Sequence, residues 1–464
     1  MNARGAGLRR PFKAVLRATD DETVIESEDP TIARGRLRWG SPRARERADA
    51  GSRQPDRSIQ FALRAALGSR LIVWVVGLAV IAIFSTNFNE IASNDPGFVT
   101  QPFHSAQLDE LLAPAARWDS AWYIVIAQHG YYSPPASNFF PLYPLLVRAV
   151  ALVVGSPLIA GMVISFLAML AGLTMLYRLA LLDLDERAAK LTVLLVALFP
   201  ASLFLSAVYT ESLFLMLSVS AVYAARRERW ALAGLCGGLS ALSRSNGVLV
   251  LLPLALLYQY GPRAGHSTAS AEDRWRPKFR VSRSAAWLLL VPVGLLAYVG
   301  YLAVQHGTPL APFQAAQKYW GHSFAGPFGA VTIAAGKVPG DVRTLLSGSA
   351  HPVTPGDPLS WNVHNLVDVG FVALAVAAAV VSWRRVPFAY FAYAIAMLVY
   401  ATSFPVHVEP LQSISRYELV IFPFFMGVAA RLAQRRNLTF GVLGISSVLL
   451  AAFSGLWAYW AWIA

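Results

Sequence analysis

Residues 117–150 read RWDSAWYIVIAQHGYYSPPASNFFPLYPLLVRAV. A single carboxylate in the first half of this stretch, Asp119, stands beside Trp118, Trp122 and Tyr123 and ahead of a cluster of prolines and aromatics. The stretch lies just beyond the first run of chain apolar enough to cross a membrane, residues 66–86. A charge in surroundings this apolar costs free energy unless it is paired or put to use. Asp119 is therefore the first candidate for a catalytic group.

The rest of the chain sets the class. Of 464 residues, 56% are hydrophobic and only 14% charged, more apolar side chain than a soluble core uses and enough for several spans of roughly 20 residues. The expected fold is an all-α polytopic membrane protein. The net charge of +13 would suggest nucleic acid for a soluble domain. Here Lys and Arg gather in the N-terminal segment and in short loops between apolar runs, so they set orientation by the positive-inside rule, and membrane lipids rather than nucleic acid are the implied partners. Cys236 is alone and sits in an apolar Gly/Leu segment, which leaves no disulfide framework and no cysteine-based metal site within one chain.

Residues 1–65 are Arg-rich and without lasting apolar periodicity, and read as a disordered basic cytoplasmic tail. Its length and scattered acids, with no short apolar core after a compact basic start, argue against a signal peptide. Residues 66–464 form the transmembrane domain. Within it, 87–156 reads as a large first external loop with interfacial helices, and 305–365 as a second. The stretch 139–154 is open between a helix lying at the interface and a re-entrant one, its prolines and Arg148 opposing a full crossing. Further spans are expected at about 158–181, 191–206, 208–225, 231–243, 246–260, 285–304, 366–383, 387–403, 417–431 and 439–462, about eleven in all with the first.

This topology puts Asp119, Glu211, Lys318, His322, His407 and Arg416 on one face of the membrane. No Gly-rich phosphate loop follows a strand, and neither a Ser-His-Asp order nor HExxH occurs. A nucleotide-dependent cytoplasmic catalyst is disfavoured. An enzyme whose activated substrate is itself a lipid needs no nucleotide site.

RWDS with the following HGY and FFPLYPLLVR, then FPASLFLSAVYTESLFL, ALSRSNGVLVLLP, FQAAQKYW and SRYELVIFPFF, occur in one order over about residues 66–435. In these the chain resembles the PIG-V class of mannosyltransferases (GPI mannosyltransferase 2-like), GT-C membrane glycosyltransferases with bacterial relatives. The resemblance implies GT-C architecture and inverting transfer of a mannosyl residue from a polyprenyl-phosphate-linked donor to an acceptor hydroxyl, on a glycolipid or glycan, at the extracytoplasmic face. The chemistry asks for little: one carboxylate to take the hydroxyl proton, and cations or hydrogen bonds for the departing phosphate.

Asp119 matches the first-loop acid that such enzymes use as base; the plain alternative is an N-cap for a helix over 120–128. Glu211 is either a first-turn acid favoured by the helix dipole or a binding and supporting partner of Asp119. Arg416 suits a phosphate clamp, against snorkelling to head groups. Arg244 lies between two short apolar runs and suits phosphate or sugar if both are true spans. Gln314, Lys318 and Trp320 suit sugar hydroxyls, phosphate and ring stacking, or else form an interfacial aromatic anchor. His407 can add a hydrogen bond, and Arg117, Trp118 and Tyr417 complete the donor- and acceptor-binding candidates. No metal site is expected and no cofactor, with a loosely bound divalent ion left open.

A transporter or flippase of a lipid-linked sugar also explains many spans, but transporters carry inverted repeats and mid-membrane ionisable groups. An inactive scaffold would tolerate loss of Asp119. Composition resembles a high-GC bacterium, so the plasma membrane with the N-terminus in the cytoplasm is the expected location. The acceptor and the linkage stay open.

Overall fold

In hydrocarbon no water is available to bond peptide groups, so a chain of this composition satisfies them inside helices. The computed structural model describes residues 55–84, 105–112, 115–263, 278–353 and 357–463, which leaves most of the basic tail, residues 85–104 of the first loop and most of the basic linker near 270 outside the description.

The first helix is α1 (Pro55–Phe84), followed by α2 (Ala106–Leu112), α3 (Ser120–His129) and α4 (Leu142–Val154). Then come α5 (Pro157–Asp183), α6 (Glu186–Ala197), α7 (Glu211–Arg226), α8 (Trp230–Ser243) and α9 (Leu251–Tyr260). The second half holds α10 (Leu290–His306), α11 (Ala311–Trp320), α12 (Gly329–Leu346), α13 (Trp361–Ser382), α14 (Phe388–Ala401), α15 (Ile414–Leu419), α16 (Phe422–Leu432) and α17 (Arg436–Ala458). Among the described residues five helices, Arg57–Phe84, Pro157–Asp183, Arg283–His306, Trp361–Ser382 and Arg436–Ala458, are long and apolar enough to cross a membrane.

The remaining spans expected from sequence are shorter, and the cause is local. A 3-10 turn at Pro200–Leu205 separates α6 from α7, and another at Ser245–Val250 opens α9. The run expected at 417–431 is cut into α15 and α16, with Pro423 in the first turn of α16, where its missing donor is harmless. One boundary moves. α1 starts at Pro55 rather than at 66, because Ala62, Ala65 and Ala66 pack into the core and Ser58 accepts the Arg178 Nε–H of α5 at 3.0 Å. The stretch over 305–365 holds an 18-residue helix, α12, beyond the expected α11 region. Residues 142–154 form one 13-residue helix lying against α5.

The first loop is bolted to the bundle by buried phenols. Tyr298 of α10 donates to the carbonyls of Ser137 and Phe139 at 2.8 and 2.9 Å, and Tyr131 donates to Phe139 at 2.7 Å. Tyr143 reaches the Gly161 carbonyl and Ser165 of α5 at 3.0 and 2.7 Å. Arg70, fully buried on α1, donates to the Ser202 carbonyl, Ser202 Oγ and Ser206 Oγ at 2.7, 2.9 and 2.8 Å, and so holds the Pro200–Leu205 turn.

α8 and α10 meet backbone to backbone. A Cβ on Gly238 would lie 2.6 Å from the Leu290 carbonyl oxygen, and one on Gly294 would overlap the carbonyl of Gly238. Small residues of this kind let helices approach closely where lipid offers no hydrophobic drive. Gly238→Val is expected to force this seam apart and lower the thermal midpoint of the detergent-purified protein, overpacking costing about 1–3 kcal/mol. Gly300, with open space around its Cβ position, supplies the control: Gly300→Ala is expected to leave the midpoint in place.

Candidate active site

Asp119 occupies the N-cap position of α3, yet its side chain makes no capping bond. Its carboxylate turns to Arg416, whose Nη1 lies 3.2 Å from Asp119 Oδ2. Arg416 Nε also donates to Glu211 Oε1 at 2.9 Å, and the same oxygen receives Arg244 Nη1 at 2.7 Å. Four elements far apart in sequence, the starts of α3, α7 and α15 and the end of α8, thus deliver two carboxylates and two guanidinium groups to one place.

The array is graded in exposure. The Glu211 side chain is 0% exposed, Arg416 8%, Arg244 11% and Asp119 24%. Asp119 is the more exposed of the two acids, and Glu211 is the buried counter-charge that makes the buried Arg416 and the largely buried Arg244 tolerable. Glu211 opens α7 with no side-chain cap from Thr210, so the positive helix terminus and both arginines face it together.

Aromatic rings set the geometry. The Arg416 guanidinium lies 4.6 Å from the Tyr209 ring centroid and 5.1 Å from that of Phe204, and Arg244 lies 5.3 Å from that of Tyr417. Tyr209 donates to the Arg117 carbonyl and accepts the Asp119 N–H, both at 3.1 Å, which pins the Asp119 turn. The Arg70-held turn carries Phe204, so α1 supports the floor of the site.

Two bulky or polar residues flank the array in the left-handed region: Trp118 at φ 53° before Asp119, and Ser413 at φ 62° before α15. Conformations of this kind persist only where the surroundings enforce them. Around Trp118 they do. Its ring meets Trp462 and Trp460 edge-on at 5.0 and 5.8 Å, and Arg117 stacks over Trp460 at 4.4 Å. Beside the site, Trp122 stacks on Phe139 at 5.6 Å and both meet Trp320 of α11.

The expected residues divide. Asp119, Glu211, Arg244, Arg416 and Tyr417 converge, with Arg117 and Trp118 in the adjoining wall. Gln314 and Lys318 are exposed on α11, and Lys318 Nζ lies over the Tyr319 ring at 5.3 Å. His407 is exposed, its carbonyl accepting Lys337 Nζ at 2.9 Å. His322 is nearer the array: its Nδ1 lies 3.1 Å from the Phe404 carbonyl, and burial pushes its pKa down against the opposing pull of that carbonyl and of Asp119. Among the described residues no three His, Cys, Asp or Glu side chains gather as metal ligands would. Tyr209, Phe204 and Arg70 were not singled out from sequence. Tyr209 lies two residues before Glu211 in the same VYTES string, which was the available signal.

Comparison with known proteins gives a family match over part of the chain. Residues 59–258 match the family described as Mannosyltransferase (PIG-V). Over that span the chain is PIG-V-like. The PIG-V-like span contains Asp119, Glu211 and Arg244, while Arg416 lies beyond it and is brought back by the fold. GPI alpha-1,6-mannosyltransferase 2 of Mus musculus is 29% identical over 266 residues, covering 53% of this chain and 52% of that protein. The Rattus norvegicus counterpart is 30% identical over 210 residues, 42% of each. The chain thus spans about half the length of the curated relatives it matches. The apo crystal structure of the Archaeoglobus fulgidus oligosaccharyltransferase is 15% identical over 83% of this chain and 56% of that one, with a TM-score of 0.40.

Proposed function

We propose that the chain is a membrane mannosyltransferase of GT-C type, which moves a mannosyl residue from a polyprenyl-phosphate-linked donor to a hydroxyl of a glycolipid or glycan at the extracytoplasmic face of the plasma membrane. The observation that carries the reading is the graded array: one partly exposed carboxylate beside a buried and a largely buried arginine that share a second, fully buried carboxylate.

In this reading the acceptor oxygen attacks the anomeric carbon from the face opposite the phosphate, so the new C–O bond forms as the sugar–phosphate bond breaks and the configuration inverts. Asp119 takes the hydroxyl proton. The electron pair leaves with the phosphate, which gains one negative charge. Arg416 and Arg244 meet that charge, since forked guanidinium donors suit phosphate oxygens and act most strongly where water is scarce. The Trp122–Phe139–Trp320 group offers flat apolar faces to a sugar ring at the same rim.

Transfer from polyprenyl-phosphate mannose, followed in membranes and in purified protein, tests the reading. Wild-type protein is expected to transfer mannose. Arg416→Lys keeps the charge but loses the fork, and is expected to lower kcat/KM for the lipid donor about 10-fold or more with normal expression. Transfer unaffected by this change would remove Arg416 from the donor site. No transfer to any lipid or glycan acceptor pool would remove the activity itself.

A further inference from the structure

α7 places Glu211 and Arg226 fifteen residues apart, about 22 Å along a helix, and Arg226 bonds Asp183 at the end of α5 at 2.6 Å. Just beyond Asp183, at this distant end of the bundle, the starts of α1, α6 and α17 line an open cleft of about 680 Å³. It takes no part in the chemistry above.

Its walls are apolar, with Phe61, Leu194 and Leu443 among them, and its rim is charged. The two rim acids are already engaged: Asp185 accepts the Ala188 N–H at 2.8 Å as a helix cap, and Glu186 pairs with Lys190 at 2.8 Å. Arg187 and Arg436, both exposed, form no ion pair with a carboxylate among the described residues. Two guanidinium groups outside any ion pair, with Arg436 lying 5.6 Å from the Phe440 ring centroid, therefore line an apolar cleft whose basic side chains (Arg187, Lys190 and Arg436) outnumber its acidic ones (Asp185 and Glu186). α1 and α17, which pack together, turn apolar surface outward, Leu71 being 65% exposed, Ile445 64% and Val448 68%. For helices of membrane-spanning length that surface faces acyl chains, and the cleft adjoins it.

A small soluble anion would use the cations and leave the apolar walls wet. A phosphate-bearing head group with acyl chains uses both, and guanidinium is well matched to phosphate. We propose that this cleft binds an anionic glycerophospholipid, its phosphate between Arg187 and Arg436 and its first methylenes along Phe61, Leu194 and Leu443. The inference does not depend on the transferase reading.

The test uses the full-length chain, purified in neutral detergent and offered phosphatidylglycerol or phosphatidylcholine, with bound lipid counted by native mass spectrometry. Two cations at a head group predict about a 10- to 30-fold preference for phosphatidylglycerol. R187Q/R436Q is expected to abolish that preference with an unchanged thermal midpoint, since both side chains are exposed. L194W, which fills the cleft and keeps every charge, is expected to lower retention as well. R384Q removes an exposed Arg outside the cleft and is expected to change nothing. Equal retention of both lipids by the wild type, a preference that survives in R187Q/R436Q, or an equal loss in R384Q overturns the proposal. Release of the lipid by millimolar inorganic phosphate also overturns it, by making the site one for a free anion.

Discussion

Asp119→Asn is expected to lower kcat for mannosyl transfer by about 10²- to 10⁴-fold, the range a positioned general base supplies. The substitution preserves shape and removes the capacity to take a proton, together with the negative charge that faces Arg416. Arg416 keeps its 2.9 Å bond to Glu211, and Asp119 is 24% exposed, so the thermal midpoint is expected to move little. Donor KM is expected to stay within a few-fold, because Arg244 and Arg416 remain in place. A well-folded Asp119→Asn protein that turns over at the wild-type rate would return this residue to the neutral role of starting α3.

Glu211→Gln has the opposite profile, with the larger effect on the fold. Glu211 accepts from both arginines in a place that water does not reach, and its loss leaves two buried cations opposite the single, more distant Asp119. Removing one partner from a buried ion pair costs about 3–5 kcal/mol, since the remaining charge stays desolvated. A large fall in thermal midpoint is expected, with loss of transfer following from it. Glu211→Gln combined with Arg244→Met removes one charge of each sign, leaves Arg416 with Asp119, and is expected to recover a good part of the stability. Independent, additive losses in this cycle would mean that Arg244 and Glu211 are not coupled.

The sequence made some of this legible and concealed the rest. Long apolar runs announced α1, α5, α10, α13 and α17, because a membrane demands about 20 such residues whatever the fold. The broken elements were harder to read, since 417–431 is as apolar as a span and only its local turn chemistry divides it. Asp119 could be found by its cost among tryptophans. That Arg416 reaches it across 297 positions is a tertiary fact with no local signature. For Asp119 and Arg416 the structure gives placements: the carboxylate makes no capping bond to its helix, and the guanidinium is buried against acids rather than extended toward head groups. Gln314 and Lys318 show the limit of motif reading. Both face outward from α11, whereas Trp320, at its last turn, packs toward Trp122 and Phe139.

The array brings equal numbers of opposite charges, Asp119 and Glu211 against Arg244 and Arg416, to one rim of the protein. During the proposed transfer Asp119 becomes neutral as the phosphate becomes more negative, so charge is redistributed over a few ångströms and none is carried through the bilayer. A charge moved across the whole membrane would couple turnover to voltage by about 2.3 kcal/mol per 100 mV. Transfer of mannose in sealed vesicles should therefore run at the same rate whether or not an ionophore has collapsed the electrical gradient, an indifference that separates a surface chemist from a carrier of anionic lipid-linked sugar.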